Sequence, residues 1–184
     1  YQQVTSPLSR GFRTGASIVV GQALGDGDPE RARFEGWATA LLGLLTVGTI
    51  GLLLAVFADP IVRLFTDDPE TVDPAIGFAA VYGLTAPFTA LFVLLGGALQ
   101  GGSDTMTPLI ARTTGLLGFY LGLSSLTAVV LNWGIVGLYA GIFGYYTWSF
   151  VVVAAGFRYG GWADRATEMM AERGSTNSDG ETGN

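Results

Sequence analysis

Long stretches without a charged residue constrain the fold of this chain more than any other feature. They cover residues 36–58, 74–103 and 113–157, which are 23, 30 and 45 residues long. A helix rises about 1.5 Å per residue, so about 20 apolar residues cross the hydrocarbon core of a bilayer. The first run therefore crosses once, the second once with a kink at Pro87, and the third twice around a turn at 131–134. We predict an all-α polytopic membrane protein with four complete spans.

The composition agrees with this prediction and argues against several functions. Only 13% of the 184 residues are charged, against about 25% in an average soluble domain. The net charge of −6 argues against nucleic acid as a partner, and the absence of Cys and His removes thiol catalysis, zinc sites and histidine relays. We expect no enzyme and no metal site. All nine positive charges are Arg, and this acidic, Lys-free balance predicts a halophilic source organism.

The two ends of the chain differ from the uncharged runs. Residues 15–25 are apolar but too short to cross alone, so we predict that they end an incomplete span. The chain begins at Tyr1 without a signal peptide, and we expect it to be the C-terminal piece of a longer protein. Within a membrane lobe over 1–162, the predicted spans are about 1–25, 36–58, 74–103, 113–131 and 135–157. Polar, Gly-rich residues then predict a cytoplasmic, acidic, disordered tail over 163–184.

Aspartate–proline pairs predict where helices begin. An Asp suits the N-cap, and a Pro after it suits the first helical position. We predict that Asp28, Asp59 and Asp73 start helices, with a short interfacial helix over 60–65.

Arginine counts predict the orientation, because positively charged loops stay in the cytoplasm. The connections 26–35 and 104–112 and the segment after residue 157 carry six Arg, whereas the opposite side carries only Arg63 between spans. We therefore expect a cell-membrane protein with these connections and its C-terminus in the cytoplasm.

Small residues predict close packing between helices. Residues 118–122 and 137–141 both read GxxxG, and Gly43, Gly48 and Gly51 thin one face of a span. The segments 21–28 and 97–104 repeat one pattern, in which a Gly-rich helix end precedes an Asp. We interpret this repeat as a left-handed turn followed by a helix cap rather than as ion binding.

Polar side chains inside the spans are uncharged, since no complete span contains Asp or Glu. A carboxylate in the membrane would be the default site for exchanging H⁺ or Na⁺. Hydroxyls, amides and aromatic rings instead suit a wet cavity that holds organic cations by stacking and cation–π contacts. The candidate cavity residues are Gln22, Tyr82, Thr85, Gln100 and Tyr120. Tyr145, Tyr146 and Trp148 fit a cavity or an interfacial belt.

Three segments resemble a known family. Residues 15–32 read GASIVVGQALGDGDPERA, 57–70 read FADPIVRLFTDDPE, and 97–108 read GALQGGSDTMTP. In this order and spacing they are similar to motifs of the multidrug and toxic compound extrusion (MATE) family. The resemblance covers most of helix eight through helix twelve of a two-lobed, twelve-helix fold. It assigns to loop geometry Gly21, Gly25, Asp28, Gly102, Asp104 and Pro108.

The resemblance implies an exporter of organic, often cationic, drug-like compounds that works by alternating access and is driven by Na⁺ or H⁺. Some members of the family carry a coupling carboxylate in helix ten, but residues 74–103 have none. The chain is therefore more similar to the DinF-like and archaeal branch, whose coupling acids lie in the N-terminal lobe. No cofactor other than the coupling ion is implied. The implied partners are the lipid bilayer, the N-terminal lobe of the same protein and small organic substrates.

Two other functions stay open. A lipid-linked saccharide flippase of the same superfamily would carry several positive residues in its cavity, and the predicted complete spans have none. A membrane assembly module or truncated remnant without transport activity also fits, because four and a half spans cannot enclose a two-lobed pathway alone.

Overall fold

The computed structural model describes residues 2–181, with side chains at 11–169, 171 and 172. Its α-helices are α1 Gln2–Gly25, α2 Pro29–Gly43, α3 Thr49–Val56, α4 Ala58–Arg63, α5 Pro69–Gly101, α6 Met106–Gly115, α7 Ile135–Tyr159 and α8 Trp162–Glu181. A π-helical stretch, Leu44–Gly48, joins α2 to α3, and two more, Leu116–Leu123 and Leu126–Val130, continue α6. Tyr1 of the predicted first span, the tail residues 182–184 and the side chains of Arg10 and Arg173 lie outside the described residues.

Four helical segments of the described chain are long and apolar enough to cross a membrane: Pro29–Val56, Pro69–Gly101, Met106–Val130 and Ile135–Tyr159. They match the predicted complete spans, and the longest uncharged run divides at the expected turn, where Asn132 has a φ of 55°. Large apolar side chains such as Leu45, Val129 and Val151 face outward. A protein in water rarely exposes so many together, whereas a lipid environment favours it. The all-α polytopic membrane fold is confirmed.

Two of the predicted helix starts are wrong. Asp28 does cap α2, accepting a bond from the backbone N–H of Arg31 at 2.9 Å. Asp59 instead lies inside α4, which spans Ala58–Arg63 rather than 60–65, and accepts a bond from Arg63 Nε at 2.8 Å. A carboxylate in the first turn still interacts favourably with the helix dipole. Asp59 therefore suits this position as well as it would suit the N-cap.

Asp73 lies inside α5, because the Asp–Pro pair five residues upstream begins that helix. Asp68 is the N-cap, and its carboxylate accepts a bond from the hydroxyl of Thr71 at 2.6 Å. Pro74 and Pro87 both lie within the continuous helix α5. The Pro74 carbonyl accepts a bond from the hydroxyl of Tyr139 on α7 at 3.2 Å. The kink at Pro87 stays a prediction.

The segment expected to be disordered from residue 163 forms α8. The side chains of Trp162, Ala163 and Ala166 are buried against the bundle, and the Trp162 indole N–H donates to the carbonyl of Phe157 at 2.9 Å. The prediction is based on the composition of the whole tail, in which the Gly-rich end outweighs the apolar residues of the first turn. The expectation of a disordered tail is therefore wrong for the packed start of α8.

Helix α5 occupies the centre and packs against α1, α2, α3 and α7. Small residues allow the close approach: Gly51 lies against the backbone of Gly83, and Gly43 lies against Leu94. Pro87 has no N–H for the carbonyl of Gly83, which faces Gly51 instead. The predicted glycine face of the first complete span is therefore a packing face against α5.

The two GxxxG motifs have different surroundings. Gly137 and Gly141 are buried against the backbone of residues 119–128, whereas Gly118 is exposed and a Cβ there would meet nothing within 4 Å. A third pair, Gly97 and Gly101 on α5, packs on α1, where a Cβ at Gly97 would lie 2.7 Å from the Arg13 carbonyl. We did not predict this third contact, although its spacing was visible in the sequence.

The repeated segments 21–28 and 97–104 adopt the same backbone turn. The N–H of Asp28 donates to Ala23 at 3.0 Å, and the N–H of Asp104 donates to Leu99 at 2.9 Å. Each of these bonds reaches five residues back along the chain, as the outer hydrogen bond of a Schellman motif does. The left-handed residues are Gly27, with a φ of 76°, and Ser103, with a φ of 64°.

The loop roles assigned to two glycines are therefore not seen. Gly25 lies at the end of α1 with open space around it, so its backbone and surroundings would accept a side chain. Gly102 is required for packing rather than for a turn, because a Cβ there would lie 2.9 Å from the Trp162 ring. Gly21 lies where α1 faces the Gly101 carbonyl.

We expect Asp104→Ala to lower the free energy of unfolding by about 1–2 kcal/mol, as loss of a helix cap typically does. Asp104 accepts bonds from both the backbone N–H and the hydroxyl of Thr107, at 3.0 and 2.9 Å. The measurement is the thermal midpoint of the purified protein in detergent. Asp67→Ala is the control, because Asp67 is an exposed carboxylate before α5. Equal midpoints for the two variants would contradict the capping role of Asp104.

Candidate functional site

A pocket of about 510 Å³ opens between α1, α5, α6 and α7. Its polar lining comes from Gln100 of α5, Thr105 before α6, and Tyr145 and Tyr146 of α7. The apolar lining consists of Phe92, Val93, Gly96, Pro108 and Leu109. Gly96 lies 3.8 Å from the Pro108 ring, measured from an ideal Cβ, so small residues bring α5 and α6 together beside the pocket. Gln100 is the predicted cavity residue that lines this pocket, and Pro108 belongs to its wall rather than to the loop alone.

Aromatic side chains continue from the pocket along α7 and the third span. The rings of Tyr145 and Tyr146 are 4.9 Å apart, and the rings of Tyr120 and Tyr145 are 6.0 Å apart, both edge to face. We call Tyr120, Tyr145 and Tyr146 the tyrosine row. The structure thus brings the predicted Tyr120 into one row with two residues whose role was open, whereas Tyr82 is half-buried on α5 outside the pocket lining.

Two other predicted cavity residues lie elsewhere. Gln22 is exposed on α1 outside the pocket lining. Thr85 is fully buried, and its hydroxyl donates to the carbonyl of Tyr82 at 3.1 Å, one turn back on the same helix. Trp148, which could also have belonged to a cavity or an interfacial belt, donates its indole N–H to the hydroxyl of Thr114 at 2.9 Å.

The pocket also contains two residues that we did not predict, Arg13 and Arg112. Arg13 lies in the middle of α1 and Arg112 near the start of the third span. From the sequence, Arg112 is counted among the charges of a cytoplasmic connection, and Arg13 falls inside the incomplete first span without a role. For Arg13 the sequence did contain a signal, because a charged residue in the middle of α1 is unusual for a helix that packs tightly on α5.

The connections between spans gather at two ends of the bundle. At one end Trp162 lies under Gly102, and Arg33 Nη2 pairs with Asp164 Oδ2 at 2.6 Å. This contact places α8 beside the connections after α1 and α5. Arg63 lies at the other end, where it pairs with Asp59. Within the described chain, the arginine-rich connections and the start of the C-terminal segment therefore share one end.

Four apolar spans beside a pocket of polar and aromatic side chains define an integral, multi-pass membrane protein. Among the described side chains, no group of acidic residues could hold a metal ion. The class of protein is therefore set by the spans and the pocket together.

Comparisons with known proteins give the family. The family model described as MatE matches residues 3–124. The chain is 32% identical over 136 residues to Multidrug and toxin extrusion protein 1 of Danio rerio, covering 73% of this chain and 23% of that protein. It is 28% identical over 137 residues to the Probable multidrug resistance protein NorM of Brucella suis, covering 72% of this chain and 29% of that protein. The chain belongs to the MATE family.

A solved structure shows the same arrangement of helices. The crystal structure of the eukaryotic MATE transporter AtDTX14 superposes with a TM-score of 0.77 at 21% identity, covering 88% of this chain and 37% of that one. The fold of the chain is thus that of part of a MATE transporter. The chain spans about a quarter of the length of the curated relatives that it matches, 23% for the Danio rerio protein.

Proposed function

We propose that this chain forms part of the C-terminal lobe of a multidrug exporter that moves organic, often cationic, compounds across the cell membrane by alternating access. The observation that carries the proposal is the tyrosine row, two members of which line the pocket beside Gln100. Aromatic faces attract organic cations and stack on their apolar parts. The names of the relatives, which describe multidrug and toxin extrusion and multidrug resistance, support the same function.

We propose further that the coupling ion, Na⁺ or H⁺, binds outside this chain, in the N-terminal lobe of the same protein. The acidic residues of the spans, Glu30, Glu35, Glu70 and Asp73, lie in the first two turns, and none lies in mid-span. Acidic residues there are the usual ion sites in a membrane. The partners are then that lobe, the lipid bilayer and small drug-like substrates. The arginine-rich end carries Arg31, Arg33, Arg158 and Arg165, so we place this end and the C-terminus in the cytoplasm.

The test is drug resistance in a sensitive host that lacks its own exporters and expresses the gene carrying this chain. We expect Gln100→Leu and Tyr82→Ala each to lower resistance by between about threefold and tenfold, the loss that follows from removing one polar contact to a bound substrate. The amount of protein in the membrane should change much less.

Matched controls separate a cavity role from a general effect on folding. Gln22→Leu removes an amide that is exposed outside the pocket, and Tyr159→Ala removes a tyrosine that is exposed beyond the tyrosine row. Both should leave resistance unchanged. If Gln100→Leu and Tyr82→Ala also leave it unchanged at equal expression, the substrate surface lies elsewhere. If the wild-type gene confers no resistance to any drug, an assembly module or remnant without transport activity becomes the better interpretation.

The flippase of lipid-linked saccharides is a second candidate, because one argument against it has weakened. We expected no positive residue inside the complete spans, but Arg112 lies inside the third span and lines the pocket with Arg13. Transport of a fluorescent lipid-linked saccharide into vesicles, without drug resistance in cells, would favour this candidate over drug export.

A further inference from the structure

Arg13 and Arg112 are exposed arginines that line one pocket together, which Arg158 and Arg165, also outside the described ion pairs, do not. Among the described residues, Arg31 pairs with Asp26 and Glu35, Arg33 pairs with Asp164, and Arg63 pairs with Asp59. No such pair includes Arg13 or Arg112, and no acidic residue lines their pocket. Two positive charges therefore face one pocket without a described counter-charge.

The packing of α1 on α5 holds Arg13 at this place. Gly97 has no side chain, and the Arg13 side chain lies across it, with Arg13 Cγ 2.9 Å from where a Cβ would be. The Arg13 carbonyl lies 2.7 Å from the same point, so both the backbone and the side chain of Arg13 occupy the space that glycine leaves. The helix contact therefore fixes the backbone and the Cγ of Arg13, while the residue as a whole is exposed.

The remaining lining indicates the kind of molecule that would fit. The Gln100 amide, the Thr105 hydroxyl and the two tyrosines offer hydrogen bonds, while Phe92 and Leu109 offer an apolar wall. A volume of about 510 Å³ lies within the range of about 300–1,000 Å³ that is usual for small-molecule sites. Guanidinium groups match the oxygens of phosphates and carboxylates in geometry and charge, and two of them repel a cation.

We propose that this pocket binds an amphiphilic oxyanion, a phosphate or carboxylate carried on an apolar or aromatic body. Arg13 and Arg112 bind the oxygens, and the tyrosines and Phe92 contact the body. The site shares Gln100, Tyr145 and Tyr146 with the surface proposed for drug export. It goes beyond that proposal, because an oxyanion bound to the two arginines would occupy the part of this surface from which they repel a cation. Binding to this pocket can be measured without transport. A failure of the binding proposal is therefore distinguished from a failure of the export proposal.

The test is equilibrium binding of 1-naphthyl phosphate to the full chain, purified in a neutral detergent, followed by naphthyl fluorescence. The matched cation, 1-naphthylmethylammonium, has the same ring and the opposite charge. We expect the phosphate to bind more tightly than the ammonium. The double variant Arg13→Gln/Arg112→Gln should weaken phosphate binding by at least about tenfold, since it removes two hydrogen-bond partners that carry a charge.

A charge-matched control removes two arginines elsewhere. The variant Arg63→Gln/Arg158→Gln has the same net charge as the test variant but leaves the pocket intact, and its affinity should stay within about threefold of wild type. The variant Arg13→Lys/Arg112→Lys keeps both charges and should retain part of the binding, which separates charge from folding. The proposal is wrong if the test variant and the charge-matched control lose affinity equally, or if the ammonium probe binds as tightly as the phosphate.

The natural oxyanion has two possible sources, a lipid headgroup or a soluble compound. Binding is therefore repeated in nanodiscs of phosphatidylcholine with and without phosphatidylglycerol. If phosphatidylglycerol weakens the binding of 1-naphthyl phosphate to wild type but not to Arg13→Gln/Arg112→Gln, the anionic lipid occupies the pocket. If it has no effect on wild type while the arginine dependence persists, the source is a soluble oxyanion.

Discussion

Gly137→Ala is expected to reduce the stability of the purified protein by about 3 kcal/mol, the upper part of the range for overpacking a buried contact. A Cβ at residue 137 would lie 2.7 Å from both Ala128 Cα and the Thr127 carbonyl carbon. Both neighbours are backbone atoms, so no flexible side chain can move aside. The two halves of the last helical hairpin would have to separate. The measurement is the thermal midpoint in detergent together with the folded yield.

Gly118→Ala is the matched control, because Gly118 belongs to the other GxxxG motif and has open space around it. Alanine favours a helix over glycine by about 1 kcal/mol, so this variant should be neutral or slightly more stable. A similar loss of stability in both variants would show that the close contact at Gly137 does not cause the loss.

Trp162→Ala is expected to reduce stability by about 3–5 kcal/mol, the usual loss when a buried aromatic side chain is truncated. The Trp162 side chain is 1% exposed, and its ring centroid lies 4.9 Å from that of Phe157. The substitution would leave a cavity under Gly102 and remove the indole bond to the Phe157 carbonyl. The start of α8 should then detach, which limited proteolysis between residues 160 and 170 would detect.

Trp133→Ala makes the same chemical change at a residue that is 56% exposed in the turn between the third and fourth spans. We expect little change in the thermal midpoint and no new cleavage near α8. If Trp162→Ala behaves like Trp133→Ala in both measurements, the packing of α8 does not stabilise the bundle.

The spans could be predicted from the sequence because the cost of placing a charge in lipid acts on each residue separately. The order of helices follows once the uncharged runs are counted. Helix starts were harder, since Asp68–Pro69 and Asp73–Pro74 are equally good signals only five residues apart. Local chemistry allows both, and the packing of Val72, which is buried against the bundle, accompanies the earlier start.

The pocket could be predicted only in part. Gln100 and Tyr120 were selected because they are polar in apolar surroundings, and that criterion works without knowing which helices are neighbours. It fails for Gln22 and Thr85, because it does not say which side of a helix faces a cavity. Arg13 was missed for the same reason, since its place depends on the contact between α1 and Gly97.

The link between α7 and α8 affects how this protein can be engineered. Only residues 160 and 161 separate Tyr159 from Trp162. A fluorescent reporter or affinity tag inserted there would therefore displace the Trp162 indole from its contact with Gly102. A truncation that ends at Tyr159 would keep all four spans yet lose the ion pair between Arg33 and Asp164. Tagged and shortened versions should therefore keep the start of α8, even though hydropathy alone would suggest cutting after the last span.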